Sequence, residues 1–253
     1  MSEPLSLEAV LKRDRLILFA GLLAISALAW GYLFYDARHM SCHALMSGHA
    51  FQLGWLFLMW VVMMIAMMVP SVAPMLLMFA AVNRQRRQQR RPFVPTGIFL
   101  LGYLVVWSIF SLLASVLQQG LHAAAVLSSA MVMSSPWLGG ALLLAAGLFQ
   151  WTPLKRACLI HCRTPLSFLM TEWREGMGGA FLMGVRHGAY CLGCCWILMG
   201  LLFVAGVMNL LWVAAISLLV LVEKIAPAGG RVSRLAGLAL LGSGACVLIR
   251  AMR

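Results

Sequence analysis

Acidic residues are scarce in this chain. Only 7 of its 253 residues are Asp or Glu, against 19 Lys and Arg, and charged residues make up 10% of the total. A soluble domain carries about 25% charged residues. Because 63% of this chain is apolar, the composition excludes an ordinary soluble domain and indicates an integral membrane protein. So few carboxylates also disfavour hydrolytic acid–base machinery and sites for calcium, magnesium or manganese.

Several motifs are absent as well. The sequence has no nucleophile elbow, no phosphate-binding glycine loop and no His-Glu-x-x-His pair, so it does not favour an enzyme. No cleavable signal peptide is evident, and the first apolar run is expected to be retained. Without a long linker, a low-complexity tract or a convincing repeat, residues 1–253 are interpreted as a single integral membrane domain.

Long apolar runs are present instead. Seven of spanning or near-spanning length follow one another, at about 16–35, 53–82, 97–117, 126–150, 180–207, 209–222 and 235–250. A spanning helix needs about 20 apolar residues, and the last two runs are short. The sequence therefore predicts an all-α, polytopic transmembrane helix bundle of six to eight spans, with seven preferred.

Positive charges predict the orientation. Lys and Arg cluster before the first run and after the second, fourth and sixth, whereas the intervening loops carry almost none. The positive-inside rule then puts the N-terminus, a basic loop at 83–96 and a cysteine-containing loop at 152–178 in the cytoplasm, with a loop at 36–50 outside. The arginine run is interpreted as a solvated turn that meets anionic lipid headgroups, which makes the bilayer a partner and nucleic acid none.

Soft metal ligands form a stripe in the fifth run. His187, Cys191, Cys194 or Cys195, and Met199 recur at helical spacing and so share one helix face. Sulfur and imidazole are the ligands that copper(I) prefers, with zinc as an alternative. Two other interpretations stay open: cysteine is a common buried filler, and Cys191 with Cys194 forms a Cys-x2-Cys pair suited to thiol–disulfide exchange.

Methionines repeat along the second run. Met59, Met63 and Met67 lie four residues apart, as do Met64 and Met68, so each set occupies one helix face. Thioethers are neutral, soft ligands that bind copper(I) and exclude hard cations. Packing is an equally good explanation, because methionine is a flexible apolar filler.

The 36–50 loop is rich in histidine. It holds His39, His43 and His49, three of the six histidines, together with Met46. We interpret it as an external capture or release site for metal, although exposed histidines are also ordinary loop residues.

Two further features accompany these ligands. Cys158 and Cys162 have a spacing that lets a helical turn present two thiolates to one ion, the alternative being reduced thiols on an amphipathic segment. Glu223 and Lys224 are expected to form an ion pair at or near membrane depth, most simply as an interface anchor.

Glycines mark a helix contact near the stripe. Gly184 and Gly188 form a small-xxx-small step, which lets a neighbouring helix approach closely beside His187.

Several of these residues together resemble a known family. They are Trp60-x2-Met63-x2-Ala66-Met67-Met68-x-Pro70, Gln150-x2-Pro153-Leu154-Lys155-x2-Cys158-Leu159-x2-Cys162-Arg163, Gly184-x3-Gly188-x2-Cys191-x-Gly193-Cys194-Cys195-Trp196-x2-Met199, and Glu223-Lys224. The combination resembles the bacterial DUF2182 family of predicted metal-binding integral membrane proteins. The resemblance implies a metal role, and some relatives look like membrane copper chaperones linked to tyrosinase-type enzymes. The histidine-rich loop is not part of the matching motifs.

The resulting hypothesis is a copper chaperone or transporter of the bacterial inner membrane, which binds copper(I) between the second and fifth runs and delivers it to a periplasmic or membrane cuproenzyme. His187, Cys191, Cys194 and Cys195 are the expected primary ligands. Met63, Met67, Met68 and Met199 are expected transfer sites, and His39, His43, Met46 and His49 an outer relay, with Cys158 and Cys162 as further candidates. Zinc and iron are alternative metals. The alternative functions are a membrane thiol–disulfide oxidoreductase and a structural subunit of a larger complex.

Overall fold

The computed structural model of the protein describes residues 7–43, 49–89, 94–128 and 131–253. The helices are α1 (Leu7–His43), α2 (His49–Gln88), α3 (Thr96–Ala123), α4 (Pro136–Phe149), α5 (Pro153–Arg163), α6 (Pro165–Glu172), α7 (Gly176–Gly200), α8 (Leu202–Ala205), α9 (Leu210–Ile225) and α10 (Gly229–Ala251). Within these ranges the only extended pairing is an isolated bridge between Leu127 and Met133. The prediction of an all-α bundle is confirmed.

Five of these helices are long and apolar enough to cross a membrane: α1, α2, α3, α7 (continued by α8) and α10. The pair α4 and α5, bent by 63°, would make a sixth if it counts as one broken span. The preferred count of seven is therefore not reached by length and composition. The reason is that α9, with 16 residues, is shorter than the roughly 20 residues that a straight spanning helix needs.

The fourth apolar run is only partly helical. Its described residues before Pro136, at 126–128 and 131–135, lie outside any helix, and α4 begins at Pro136. Proline suits the first turn of a helix and disfavours helical backbone in the residue before it, which explains the late start. Ala125 and Met131 have φ values of 56° and 57°, in the left-handed region. Apolar composition alone could not distinguish this stretch from helix.

Helix α2 lies at the centre of the bundle. In its most apolar window 67% of the residues are buried, against 22% in α1 and 17% in α10. It continues as one helix through Pro70 and Pro74, and it packs against α1, α3, α6 and α9. The methionines of the second run are therefore core residues, and the outer helices α1 and α10 present most of their apolar side chains outward.

Helices α3 and α7 cross in very close contact. A Cβ added to Gly184 would lie 2.0 Å from the carbonyl oxygen of Phe99, and one added to Gly102 would lie 2.2 Å from that of Phe181. A Cβ added to Gly188 would lie 3.0 Å from the side chain of Val106, which is a milder contact. The close approach expected at Gly184 and Gly188 is thus confirmed, and the partner is α3. This crossing brings Tyr103 of α3 beside the metal-ligand stripe of α7.

Arginines near the C-terminal ends of α2 and α5 bind residues that lie outside the helices. Arg86 forms an ion pair with Glu175, and Arg163 donates to the carbonyl oxygens of Ala226 at 2.7 Å and Pro227 at 2.8 Å. We call the set of residues Arg86, Arg163 and Glu175 the basic end. The region 152–178 consists largely of α5 and α6, and α5 packs against α7.

Candidate metal centre

The stripe of soft ligands on α7 faces the interior. His187, Cys191, Cys194, Cys195 and Met199 are all buried, and none is more than 3% exposed. The helical spacing that placed them on one face is therefore matched by the packing. Burial removes competing water, so any ion held here would exchange its hydration for protein ligands.

Cys191 is the centre of a polar network. Its Sγ lies 2.9 Å from Nζ of Lys224, which comes from α9, and 3.0 Å from the hydroxyl of Tyr103. Lys224 also donates to Oγ of Ser71 at 3.0 Å. The Tyr103 hydroxyl lies 3.3 Å from the carbonyl oxygen of Met68 as well, so its one hydrogen has two alternative acceptors. Four helices, α2, α3, α7 and α9, thus meet at this sulfur.

Three more thiols complete what we call the sulfur cluster, which comprises Cys162, Cys191, Cys194 and Cys195. Cys162, from α5, is near enough to the Cys191 and Cys194 thiols to interact with them. The Cys194 and Cys195 thiols donate to the carbonyl oxygen of Cys191 at 3.1 and 2.9 Å. The cluster therefore joins α5 to α7, which spacing within one run could not reveal.

Gly193 explains how α5 approaches α7 so closely. A Cβ at this position would lie 2.8 Å from Sγ of Cys158. The glycine of the Cys-Leu-Gly-Cys-Cys motif therefore leaves room for Cys158, a half-buried thiol beside the cluster. His161, between the two α5 cysteines, instead stacks on Tyr190, with ring centroids 4.1 Å apart and an interplanar angle of 7°.

His187 has an unused ring nitrogen. It lies among the rings of Phe99, Tyr103 and Phe168, and its Nδ1 is buried without a hydrogen-bond partner among the described residues. Buried polar atoms are nearly always hydrogen-bonded, so an exception requires an explanation. An imidazole nitrogen available one helical turn before Cys191 fits a soft metal ion as its partner.

The prediction that Glu223 and Lys224 form an ion pair with each other is wrong. Glu223 instead accepts from Lys155 of α5 at 2.7 Å and from Nε2 of Gln150 at 3.1 Å, and both members of the Lys155–Glu223 pair are buried. Neighbouring residues of a helix point in different directions, so Glu223 and Lys224 cannot face one another. Lys224 consequently turns towards the sulfur cluster.

The methionines of α2 are buried throughout. Met59, Met63, Met64, Met67 and Met68 are each at most 1% exposed. Both helix faces are thus covered, and burial does not separate ligands from packing residues. The polar connection from α2 to Cys191 passes through the Met68 carbonyl and Ser71, by way of Tyr103 and Lys224. Roles for the thioethers of Met63, Met67, Met68 and Met199 stay predictions.

Most of the predicted outer relay lies outside the described residues. Met46 falls in 44–48, and the side chains of His43 and His49 are not described. His39 is exposed, stacks on Tyr35 with centroids 4.2 Å apart, and its Nδ1 lies 2.8 Å from the Tyr35 carbonyl oxygen. The relay stays a prediction.

The thiols of the sulfur cluster are neighbours, but they are not arranged to hold a metal ion. In the part of the chain that the structure describes, no three His, Cys, Asp or Glu side chains are arranged to hold a metal ion. Thiols occupied by hydrogen bonds and by the Lys224 ammonium would have to release these partners on binding. The donor set, with thiols, thioethers and imidazole, suits a soft ion that needs few ligands.

The fold and site together define an all-α protein with long apolar helices around a buried group of soft ligands. Over residues 57–247 the chain matches the family described as PpoB2, copper chaperone, and it belongs to that family. No curated protein and no solved structure gives a match. The matched range contains the sulfur cluster, Lys224 and the methionines of α2 from Met59 onward, whereas the loop at 39–49 lies outside it.

Three residues of the site were not identified from the sequence in their present role. Tyr103 and Ser71 were not singled out, and Lys224 was assigned to the wrong partner. A signal did exist for Lys224, since an ionisable residue at the end of an apolar run is a functional candidate. Tyr103 offered only a weaker one, a polar hydroxyl within an apolar run.

Proposed function

We propose that the protein is a membrane copper(I) chaperone, which binds the ion at the sulfur cluster and passes it to a cuproenzyme. The observation that carries this proposal is the convergence of four cysteines from two helices, three of them fully buried, beside a histidine nitrogen that has no hydrogen-bond partner among the described residues. Copper chaperone is also the description of the family to which the chain belongs.

Copper(I) suits the ligands better than a harder ion. The cluster contains thiols and an adjacent imidazole, and the nearby carboxylate of Glu223 is occupied by Lys155. Soft sulfur ligands select copper(I), whereas calcium, magnesium and manganese need oxygen ligands. Thiolates and imidazole also bind zinc, and sulfur binds iron, so metal analysis of the purified protein is needed to identify the bound ion.

The arrangement suggests a role for each group. Cys191, with Cys194 or Cys162, supplies the first thiolates, and His187 adds a neutral ligand. Half-buried Cys158 lies beside the cluster on α5 and offers a place of entry or exit. Met68, Met67 and Met63 of α2, with Met199 of α7, then provide neutral ligands through which the ion moves by ligand exchange.

The basic end gives the proposed direction. Its arginines would lie in the cytoplasm of a bacterium, with the helices in the inner membrane and His39, His43, Met46 and His49 on the external side. Copper would then pass outward from the sulfur cluster to a periplasmic or membrane enzyme.

Copper(I) competition with a chromogenic chelator tests the proposal on the full chain in detergent. We expect wild-type protein to retain copper(I), and Cys191→Ser to lose at least about tenfold in affinity, since it removes the thiolate at the centre of the network. Cys246→Ser is the matched control, because Cys246 is exposed on α10. Equal copper retention by both variants would contradict the proposal.

The closeness of Cys162, Cys191 and Cys194 also favours a second candidate, a thiol–disulfide oxidoreductase. Exchange requires a partner thiol or quinone to reach the attacking sulfur, and Cys191 and Cys194 are fully buried. Counting free thiols in protein trapped rapidly from cells separates the two. A Cys191–Cys194 disulfide that forms and is reduced during growth would support the oxidoreductase, whereas persistent free thiols support the chaperone.

A further inference from the structure

Lys224 is a buried cation that faces sulfur. Its ammonium donates to Cys191 and Ser71, and its side chain is buried among α2, α3 and α7. The adjacent carboxylate, Glu223, is bound to Lys155, so within the described residues the groups nearest to Lys224 are thiols, a hydroxyl and the Tyr103 phenol. A buried charge is costly unless a counter-charge lies close by.

We propose that Lys224 makes this site selective for monovalent soft ions, by adding one fixed positive charge to a site formed by two thiolates. The inference rests on the proposed function, since it assumes that a metal ion binds at the sulfur cluster. It concerns which ions are accepted, a property that ligand softness alone does not determine.

Charge balance distinguishes the two kinds of ion. Two thiolates and one ammonium carry a net charge of minus one, which a monovalent ion neutralises. A divalent ion in the same place leaves a net charge of plus one in an apolar interior, where uncompensated charge is strongly disfavoured. Thioether and imidazole ligands are neutral and do not alter this sum.

The hydrogen bonds favour a count of two thiolates. Sγ of Cys194 and Sγ of Cys195 lie 3.1 and 2.9 Å from the Cys191 carbonyl oxygen, a distance at which a thiol that keeps its hydrogen donates to it. Cys191 is the sulfur that accepts from Lys224. Binding then needs one more thiolate, from Cys194 or Cys162, while Cys195 keeps its hydrogen bond.

Cadmium and silver provide the direct test, because both bind thiolates strongly and differ in charge. The full chain in detergent is loaded with copper(I) and challenged with equal concentrations of Ag⁺ or Cd²⁺, and the released copper is measured. We expect Ag⁺ to displace copper and Cd²⁺ to leave it in place. Equal displacement by Cd²⁺ would overturn the proposal. If wild-type protein holds neither copper nor silver, the proposed function itself fails.

A variant pair isolates the charge. Lys224→Met removes it, and Ser71→Ala removes one hydrogen-bond partner of Lys224 while keeping the charge. Lys224→Met should raise the affinity for Cd²⁺ relative to that for copper(I) by about 100-fold, because it removes one buried positive charge. Ser71→Ala should leave this ratio nearly unchanged. An unchanged ratio in Lys224→Met would refute the inference. The competition on wild-type protein tests the preference for monovalent ions even if this variant does not fold.

Discussion

Two buried lysines of this protein have different partners. Lys155 forms a closed pair with Glu223, and Gln150 and Ser233 extend the pair through further hydrogen bonds. Lys224, which follows Glu223 in the chain, has Cys191 and Ser71 as its hydrogen-bond partners. The first lysine is neutralised by an oxygen anion within the protein. The second lies beside a thiol that, as a thiolate, can carry a compensating negative charge.

On the proposed function, this difference separates a structural role for Lys155 from a ligand-binding role for Lys224. The ion pair between Lys155 and Glu223 holds α5 against α9 and is neutral overall, so it has no net charge with which to attract a ligand. An ammonium beside thiols stabilises whatever negative charge the sulfur cluster develops. Because buried ionisable groups in apolar surroundings are costly, we expect different consequences when each lysine is disturbed.

The largest expected effect comes from breaking the closed pair. Glu223→Gln leaves the Lys155 ammonium buried without its carboxylate, which should cost about 3–5 kcal/mol of stability. Thermal unfolding in detergent, followed by tryptophan fluorescence, measures the loss. The double variant Glu223→Gln with Lys155→Met should recover most of it, because no unpaired charge remains. A single variant as stable as wild type would show that the pair contributes nothing to the fold.

An intermediate effect should follow from moving α3 away from α7. Gly184→Ala puts a methyl group against the Phe99 carbonyl, and such overpacking costs about 1–3 kcal/mol. It also shifts Tyr103 relative to Cys191 and leaves the Lys155–Glu223 pair untouched, so copper(I) affinity should fall as well. Gly178→Ala, on the same helix with open space around it, is the matched control. If both variants behave alike in unfolding and copper retention, the tight crossing does not position the site.

The smallest effect should come from Tyr103→Phe, which removes only the hydroxyl. One hydrogen bond is worth about 1 kcal/mol, so both stability and copper(I) affinity should decrease slightly. Tyr190→Phe serves as control, because its ring stacks on His161 and the change keeps that ring. Chelator competition on the two proteins should give a lower copper(I) affinity for Tyr103→Phe than for Tyr190→Phe. The reverse order of affinities would show that the Tyr103 hydroxyl does not contribute to copper(I) binding.

Much of the architecture followed from periodicity and composition. Apolar runs predicted a helical bundle, and Gly184 with Gly188 predicted a close helix contact, because small residues at a four-residue step leave room for another backbone on one face. The irregular stretch before α4 was missed, since apolar composition is the same in helix and in irregular structure and only Pro136 marked the boundary.

The site was predictable only in part. Spacing put His187, Cys191, Cys194, Cys195 and Met199 on one face, because these residues belong to one helix and share its period. Spacing could not show that Cys162 joins them, since the relation between α5 and α7 depends on the room left at Gly193. The roles of Met63, Met67 and Met68 stay predictions, because every methionine of that stretch of α2 is buried alike.

The sequence by itself determined that this protein is a bundle of apolar helices carrying soft metal ligands, because composition and helical period are properties of each segment alone. Only the tertiary structure decided which partners each charge would have. It placed Glu223 against Lys155 and turned Lys224 towards Cys191, since consecutive helix residues point to different neighbours and those neighbours come from distant parts of the chain.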